Sequence, residues 1–135
     1  MTVYKINDLV KFDFIKIPKT LFANPKYKEM SSDAKLTYAL LYDRLSLSIQ
    51  NNWINADGEV YLVYTRGAIA EDLGITYKKA IAAFKELKEN NLIIDKQCGH
   101  GMPNYIFIVK PELSGYGGKE IYEQGKFKTC RNGMS

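Results

Sequence analysis

The most regular pattern of apolar and polar positions lies in the second half of the chain. Apolar residues recur at helical spacing in two short segments, residues 66–73 and residues 77–90. Thr65 and Thr76 stand just before these segments, where a threonine side chain caps a helix. Gly74 stands between them, where glycine accepts the left-handed conformation of a helix end. The pattern predicts two helices joined by a tight turn.

The two helices are predicted to share an apolar core. Two of its positions are alanines, which allow the helices to approach each other closely. The predicted core residues are Ile69, Ala70, Leu73, Ile75, Ala80, Phe84 and Leu87.

A two-stranded hairpin is predicted to follow the second helix. Residues 92–96 and 104–109 have strand character, and Gly99, Gly101 and Pro103 lie between them. A winged helix-turn-helix, which is an α+β fold, has this order of elements: helix, turn, helix and a hairpin with a glycine-rich tip. Such a fold usually places its second helix in the major groove of DNA.

The first half of the chain predicts an extra N-terminal segment of strand and helix. Residues 11–17 alternate loosely and suggest a short strand, which Pro18 ends before a short helix. The segment Ser31–Asp33 predicts the start of a helix that runs to about Ile49. Its core-facing stripe is predicted to be Leu36, Leu40 and Leu47, widened by Leu41 and Leu45.

Turn signals and composition predict the remaining organisation. The Asp57–Gly58 pair predicts a small hairpin between residues 53–54 and 59–63. The chain is glycine-rich and without apolar periodicity after residue 113. We therefore predict a winged-helix DNA-binding domain over residues 1–112 and a flexible linker or tail over residues 113–135.

Composition narrows the class of protein only slightly. The chain has 135 residues, 46% apolar and 25% charged, which is typical of one globular domain. The net charge of +4 and the pI of about 8.9 fall just short of the pI above ~9 that marks strongly basic nucleic-acid binders. Two cysteines, Cys98 and Cys130, without a secretory signal favour a reduced, cytoplasmic protein.

The sequence favours neither catalysis nor a cofactor. No phosphate-binding glycine motif is present, and Cys98 with His100 lacks the second ligand pair of a zinc site. No nucleophile–base set is visible, so we do not expect an enzyme. No apolar run approaches the ~20 residues that span a bilayer, so no membrane partner is expected.

The start of the second motif helix carries the candidate DNA contacts. A helix N-terminus favours phosphate, lysines reach base edges or phosphates, and a small apolar side chain can meet a thymine methyl. Lys85 lies one turn further and better suits the flanking backbone. The candidates on this helix are Thr76, Tyr77, Lys78, Lys79, Ala82 and Lys85.

The hairpin tip and the first motif helix add further candidates. Lys96, Gln97 and His100 surround the wing glycines, and Arg66 stands at the start of the first helix as a second backbone contact. A competing interpretation treats the lysines as a solvated helix face. Glu86 and Glu89 on the same helix support that interpretation, because they would repel phosphate if they faced it.

Several segments resemble one family closely. The string from residue 14 to residue 65, the helix-turn-helix and the wing motif GHGMPN are similar to the N-terminal domain of the RepA_N plasmid replication initiators. The resemblance covers roughly Phe12 to Pro111. The wing motif includes Asn104, which we add to the predicted DNA contacts.

The resemblance implies a winged-helix domain that binds repeated DNA sites, or iterons, at a plasmid replication origin as a homodimer. It also implies a C-terminal domain tied to host primase. Nothing after residue 114 resembles that domain, so the chain is expected to end in the inter-domain linker.

Two other functions fit the same fold. A transcriptional regulator would differ only in where its target lies, because function resides in the site and not in the fold. A winged helix used for protein assembly would self-associate without binding duplex DNA.

Overall fold

The computed structural model describes residues 1–8 and 13–113. After a 3-10 turn at Ile6–Asp8, six helices precede a two-stranded antiparallel sheet within these residues. The helices are α1 (Thr20–Ala23), α2 (Pro25–Lys28), α3 (Ser32–Asp43), α4 (Leu45–Gln50), α5 (Arg66–Leu73) and α6 (Tyr77–Glu89). The strands are β1 (Ile93–Lys96) and β2 (Tyr105–Ile108).

The N-terminal segment forms helices but no strand. The short helix expected after Pro18 is confirmed as α1, and α2 follows with Pro25 at its first position. The strand expected over residues 11–17 is wrong over residues 13–17, which form no ladder with any residue that the structure describes. Alternation alone does not make a strand, because backbone groups need a neighbouring edge to pair with. Residues 11 and 12 lie outside the described residues.

Helix α3 begins where the sequence predicts, but the chain does not continue as one helix to Ile49. The Ser31 hydroxyl accepts a hydrogen bond from the Ala34 N–H at 3.1 Å and caps α3. The helix ends at Asp43, and α4 begins at Leu45 on the other side of Arg44. The Arg44 guanidinium packs over a buried aromatic ring at 4.3 Å, which fixes the chain at this break.

The predicted core stripe of this segment is confirmed for Leu40, Leu41 and Leu45 and is wrong for Leu36 and Leu47. Leu36 and Leu47 are 42% and 45% exposed, whereas Tyr38 and Leu41 are fully buried. Leu40 and Leu45 are partly buried and pack against the edge of the core. The leucine spacing assumed one straight helix, but the side of α3 that meets α5 and α6 is the side with Ala34, Tyr38 and Leu41.

The predicted small hairpin forms with minimal pairing and links to the wing. Ile54 and Val60 form a single antiparallel bridge around the turn, in which Gly58 has a φ of +81°. Two residues further, Leu62 exchanges backbone hydrogen bonds of 2.8 and 2.9 Å with Ile106 of β2. The second arm of the small hairpin therefore pairs with β2 through one antiparallel bridge and extends the wing sheet on that side.

The helix-turn-helix and the wing agree with the prediction. Thr65 and Thr76 cap α5 and α6 through their hydroxyls, and Gly74 adopts the left-handed conformation with a φ of +70°. Strands β1 and β2 pair from Ile93 opposite Ile108 to Lys96 opposite Tyr105. Five of the seven predicted core residues are buried, and Leu73 and Ile75 pack partly buried against them. The winged-helix α+β fold is thereby confirmed.

The described part of the chain contains no helix that is long and apolar enough to cross a membrane. The boundary at residue 112 and the tail over residues 113–135 stay predictions, because residues 114–135 lie outside the described residues.

Candidate nucleic-acid interface

One side of α6 is fully exposed. Lys78, Ala82 and Lys85 lie at spacings of four and three residues, so their side chains share one face. The opposite face carries Ala80 and Phe84, which are completely buried against the rest of the fold. Helix α6 is therefore held by one side and presents a basic stripe on the other.

The N-terminus of α6 adds polar groups to this stripe. Tyr77 is 57% exposed, and Thr76, Lys78 and Lys79 are exposed beside it. The Thr76 hydroxyl accepts from the Lys79 N–H at 3.1 Å, which leaves other N–H groups of the first turn for an incoming anion. Neither Lys78 nor Lys79 forms an ion pair with any residue of the described ranges.

Glu86 does not face the basic stripe. Its carboxylate accepts hydrogen bonds from the Ser31 backbone N–H at 2.8 Å and from the Ser31 hydroxyl at 2.6 Å. Glu89 is exposed and lies 4.0 Å from Lys85, as an ordinary surface pair one turn apart. Of the two acids expected to repel phosphate, Glu86 therefore binds the start of α3 instead.

Arg66 points into the fold. Its guanidinium donates to the Asp95 carboxylate at 2.7 Å and stacks over the Phe84 ring at 4.4 Å, with 26% of its side chain exposed. The sequence suggested a contact with the DNA backbone, but the side chain is committed to the strand β1 and the helix α6.

The wing tip is a short exposed turn. The Met102 N–H donates to the Gly99 carbonyl at 3.2 Å, and Gly99 and Gly101 have φ values of +140° and +77°. Side chains disfavour these backbone angles, so glycine is needed at both positions. Around the turn, Lys96, Gln97 and His100 are exposed.

The base of the wing meets the start of α6. Asn104 is partly buried and lines, with Tyr77 and Arg66, a small cavity of about 180 Å³. The structure thus brings Tyr77 at the start of α6 close to Asn104 of the wing, with Arg66 lining the same cavity.

The sequence missed a second surface, on the outer face of the wing sheet. Tyr61 stacks on Tyr105 with ring centroids 4.1 Å apart, and Trp53 lies parallel to Tyr61 at 6.2 Å. Ile94 on the same face is 57% exposed. The alternation of outward Ile94 and Lys96 with buried neighbours in β1 is the signal that predicts such a face.

An apolar groove continues from this face towards α4. Its volume is about 1180 Å³, and no residue of α5 or α6 lines it. Its lining includes Ile17, Leu45, Ile49, Val60, Ile94 and Phe107. The groove is therefore separate from the basic stripe.

Two buried tyrosines tie the layers of the fold together. The Tyr38 hydroxyl donates to the Val109 carbonyl at 2.8 Å, and burial raises the pKa of Tyr38 to about 12. Burial, with the hydrogen bond to Asp72, likewise raises the pKa of Tyr64 to about 12. Both phenols are structural groups, and Tyr64 also lines the small cavity at the start of α6.

Titratable groups do not gather into a metal centre here. Within residues 1–8 and 13–113, no three His, Cys, Asp or Glu side chains come together in an arrangement that could hold a metal ion.

Comparison with known proteins places these features in context. The family model described as "Replication initiator protein A (RepA) N-terminus" matches residues 13–118. A "41 kDa protein" of Lactobacillus helveticus is 31% identical over 105 residues, which are 73% of this chain and 30% of that protein. The chain thus spans about a third of the length of this curated relative.

Solved structures agree with the sequence matches. One described as "N-Terminal domain of DNA binding protein" is 34% identical with a TM-score of 0.72, and the match covers 86% of this chain and 88% of that one. "Structure of MDR initiator" is 36% identical with a TM-score of 0.69, covering 85% and 91%. "Structure of Rep-DNA complex" is 34% identical with a TM-score of 0.71, covering 84% and 87%.

Proposed function

We propose that this chain, which belongs to the RepA_N family of replication initiator protein A N-termini, binds specific double-stranded DNA sites at a plasmid replication origin. The observation that carries the proposal is the exposed basic stripe of α6, held rigidly from its opposite, buried face. The similar structure of a Rep–DNA complex supports it.

In the proposed complex α6 lies in the major groove. Lys78 and Lys79 stand in the first turn of the helix, where winged helices contact base edges, and Thr76 presents the helix N-terminus to a phosphate. Tyr77 contacts phosphate or sugar, and Ala82 meets a thymine methyl. Lys85 contacts the flanking backbone.

The wing holds the neighbouring backbone or minor groove. Lys96, Gln97 and His100 are exposed around the tip, and Asn104 stands where the wing meets α6. Because Arg66 already pairs with Asp95 inside the fold, we assign it to holding the wing and not to DNA. The protein works without a cofactor in this proposal and catalyses no reaction.

Binding to a selected duplex tests the proposal. Selection from a random duplex library identifies the preferred site, and fluorescence anisotropy across a salt series compares it with a scrambled duplex. We expect the selected site to be bound specifically as salt rises, and Lys78→Ala or Lys79→Ala to cost about 1–3 kcal/mol if the lysine reads a base, or to reduce the salt slope by about 1 if it binds phosphate.

A matched control lies away from α6. Lys26 pairs with Glu112 at 2.8 Å, and this hydrogen bond raises its pKa. Lys26→Ala makes the same change in charge and should leave the affinity within about twofold, because exposed ion pairs contribute little. Equal, salt-sensitive binding of all variants to both duplexes would reduce the basic stripe to a generic cationic surface.

The position of the site separates replication from transcription. A replication initiator should select a sequence that recurs as repeats, the iterons, inside the origin of its plasmid. A transcriptional regulator would select a promoter sequence instead. Contact with host primase stays a prediction that the family resemblance attaches to the family's C-terminal domain, and a pull-down with purified primase tests it on a protein that carries that domain.

We also propose that the chain forms a homodimer through the apolar groove. Repeated sites favour paired domains, and exposed apolar patches of this extent mark interaction surfaces. The lining of the groove carries both charge signs, so a second copy related by a two-fold axis can oppose lysine to acid. The charged residues of the lining are Lys16, Lys19, Lys96, Lys110, Asp57 and Glu59.

Sedimentation equilibrium tests the pairing. Ile94→Lys places a charge in the groove and should give a monomer, whereas Leu47→Lys alters a leucine of similar exposure outside the groove and should not. A dimer that survives Ile94→Lys would assign the pairing to another face. A chain that self-associates but binds no duplex would support the assembly function instead.

A further inference from the structure

Asp95 is a buried carboxylate in the middle of the helix-turn-helix and wing. Only 3% of its side chain is exposed. Its Oδ2 atom lies 2.7 Å from the Arg66 guanidinium and 4.0 Å from the Lys88 ammonium. Its Oδ1 atom has no hydrogen-bond partner among the residues that the structure describes.

This one side chain joins the three parts that the proposed DNA complex uses. Arg66 is the first residue of α5, Lys88 lies in the last turn of α6, and Asp95 belongs to β1 of the wing. Arg66 also stacks on Phe84, in the buried face of α6. The orientation of the wing relative to α6 is therefore fixed at its base by directional contacts to charged groups.

Stability alone is a poor reason for this arrangement. Burying a carboxylate is costly, and replacing a buried ion pair by apolar residues is often neutral or stabilising. The Oδ1 atom adds to that cost, because a buried acceptor without a partner loses its hydration. Directional ion pairs supply what apolar packing supplies less well, which is a unique orientation.

A small change in the tilt of the wing at its base displaces the wing tip by a larger distance. His100 stands five residues beyond Asp95, and because β1 ends at Lys96 the fully extended length of about 16 Å is an upper bound on the distance between them. A tilt of about 10° at the base then moves the tip by up to about 3 Å. That displacement is comparable to the length of a hydrogen bond, and it exceeds the ~0.5 Å within which binding groups must be held.

We propose that Asp95 is a positioning residue for DNA recognition, which fixes the tilt of the wing so that the wing tip and α6 contact one DNA site together. The proposal rests on the DNA-binding function proposed above. Asp95 does not touch DNA itself; it acts through Arg66, which it holds inside the fold, and through the exposed Lys88, which lies 4.0 Å away.

Double-mutant cycles distinguish positioning from simple stabilisation. The probe is the duplex that the wild-type chain selects, and affinity is measured by anisotropy well below the melting temperature of every variant. Asp95→Asn is combined with a wing variant in which Lys96, Gln97 and His100 are alanine, and separately with Lys78→Ala in α6. The control for the change in charge is Glu89→Gln, which removes an exposed carboxylate of the same helix-turn-helix.

The proposal expects Asp95→Asn and the wing variant each to weaken binding by about tenfold, which is close to the cost of one lost contact. Combined, they should weaken binding no further than either alone, because a misplaced wing has no contacts left to lose. The factors by which Asp95→Asn and Lys78→Ala weaken binding should multiply in the double variant. Glu89→Gln should leave the affinity unchanged or slightly higher.

Two results would overturn the proposal. If the effect of Asp95→Asn on affinity multiplies both with that of the wing variant and with that of Lys78→Ala, Asp95 acts on the whole fold. If Asp95→Asn binds every duplex more strongly, Asp95 only neutralises two cations. If the wild-type chain selects no duplex, the DNA-binding function fails first and the positioning role with it. Should Asp95→Asn not fold, Arg66→Lys enters the same cycles, because it keeps the charge and loses the planar fork and the ring stacking.

Discussion

Glu86 completes the N-terminal cap of a different helix, and removing it makes a quantitative test of the structure. In the usual capping box, a Glu at the third helical position accepts from the N–H of the capping serine. Here that position of α3 is Ala34, and Glu86 of α6 supplies the carboxylate from 55 residues further along the chain. Glu86→Ala should therefore loosen the contact between α3 and α6.

The expected loss follows from the two hydrogen bonds. A hydrogen bond to a charged group contributes about 1.5–3 kcal/mol, and a helix cap about 0.5–2 kcal/mol. Ser31 is exposed and Glu86 half-buried, so the lower part of these ranges applies. We expect Glu86→Ala to lower the free energy of unfolding by about 1–2 kcal/mol, and the melting temperature by about 4–8 °C.

Urea denaturation followed by circular dichroism measures the free energy of unfolding. Glu89→Ala is the matched control, because it makes the same substitution one turn away in the same helix. Glu89 has only a 4.0 Å contact with Lys85, so its change should stay within about 0.5 kcal/mol. A cycle with Ser31→Ala should give a coupling energy of at least about 0.5 kcal/mol.

Equal effects of Glu86→Ala and Glu89→Ala, or a coupling energy near zero, would refute the cap between helices. In that case Glu86 would be a solvated residue of the α6 surface. The acids of α6 would then again count against a phosphate-binding face.

Three further predictions concern the core and the turn. Leu41→Ala should cost about 2–5 kcal/mol of unfolding free energy and Leu47→Ala within about 0.5 kcal/mol, and equal costs would contradict the burial of Leu41 and the exposure of Leu47. Gly74→Ala should cost about 1 kcal/mol in urea denaturation, because an alanine at a φ of +70° is strained even where its Cβ meets open space; no loss would contradict the left-handed turn. The folded pKa of about 12 for Tyr38 and Tyr64 lies above the ordinary value of 10.0, so their contribution to stability is complete below pH 10 and lost as the pH rises towards 12; denaturation midpoints between pH 9 and pH 12 should fall less in Tyr38→Phe than in the wild type.

The helix-turn-helix could be predicted from the sequence because its signals are local. Each helix is preceded by a threonine whose hydroxyl accepts a hydrogen bond from the N–H three residues further on. Gly74 ends the first helix in the left-handed conformation, which favours glycine. Ala80, Phe84 and Leu87 are spaced for one face of a helix and are all buried. None of these features depends on which distant segment packs against them.

The register of α3 could not be predicted in the same way. Its sequence offers apolar residues on more than one side, with Leu36 on one face and Tyr38 and Leu41 on another. Which face is buried depends on α5 and α6, the two helices against which α3 packs. The break at Arg44 depends on a ring that lies 20 residues further along the chain. Tertiary contacts decide both outcomes.

Charge illustrates the same limit at the candidate site. A net charge of +4 barely distinguishes this chain from an ordinary soluble protein, and a sequence does not reveal which charges pair. In the fold, Asp95 binds the partly buried Arg66 and lies 4.0 Å from the exposed Lys88, and the Glu86 carboxylate binds Ser31. What stays unpaired at the start of α6 is Lys78 with Lys79, and this local pair of charges, not the net charge, is what a phosphate backbone encounters. Carboxylates that are distant in the sequence thus determine which cations stay available to contact DNA.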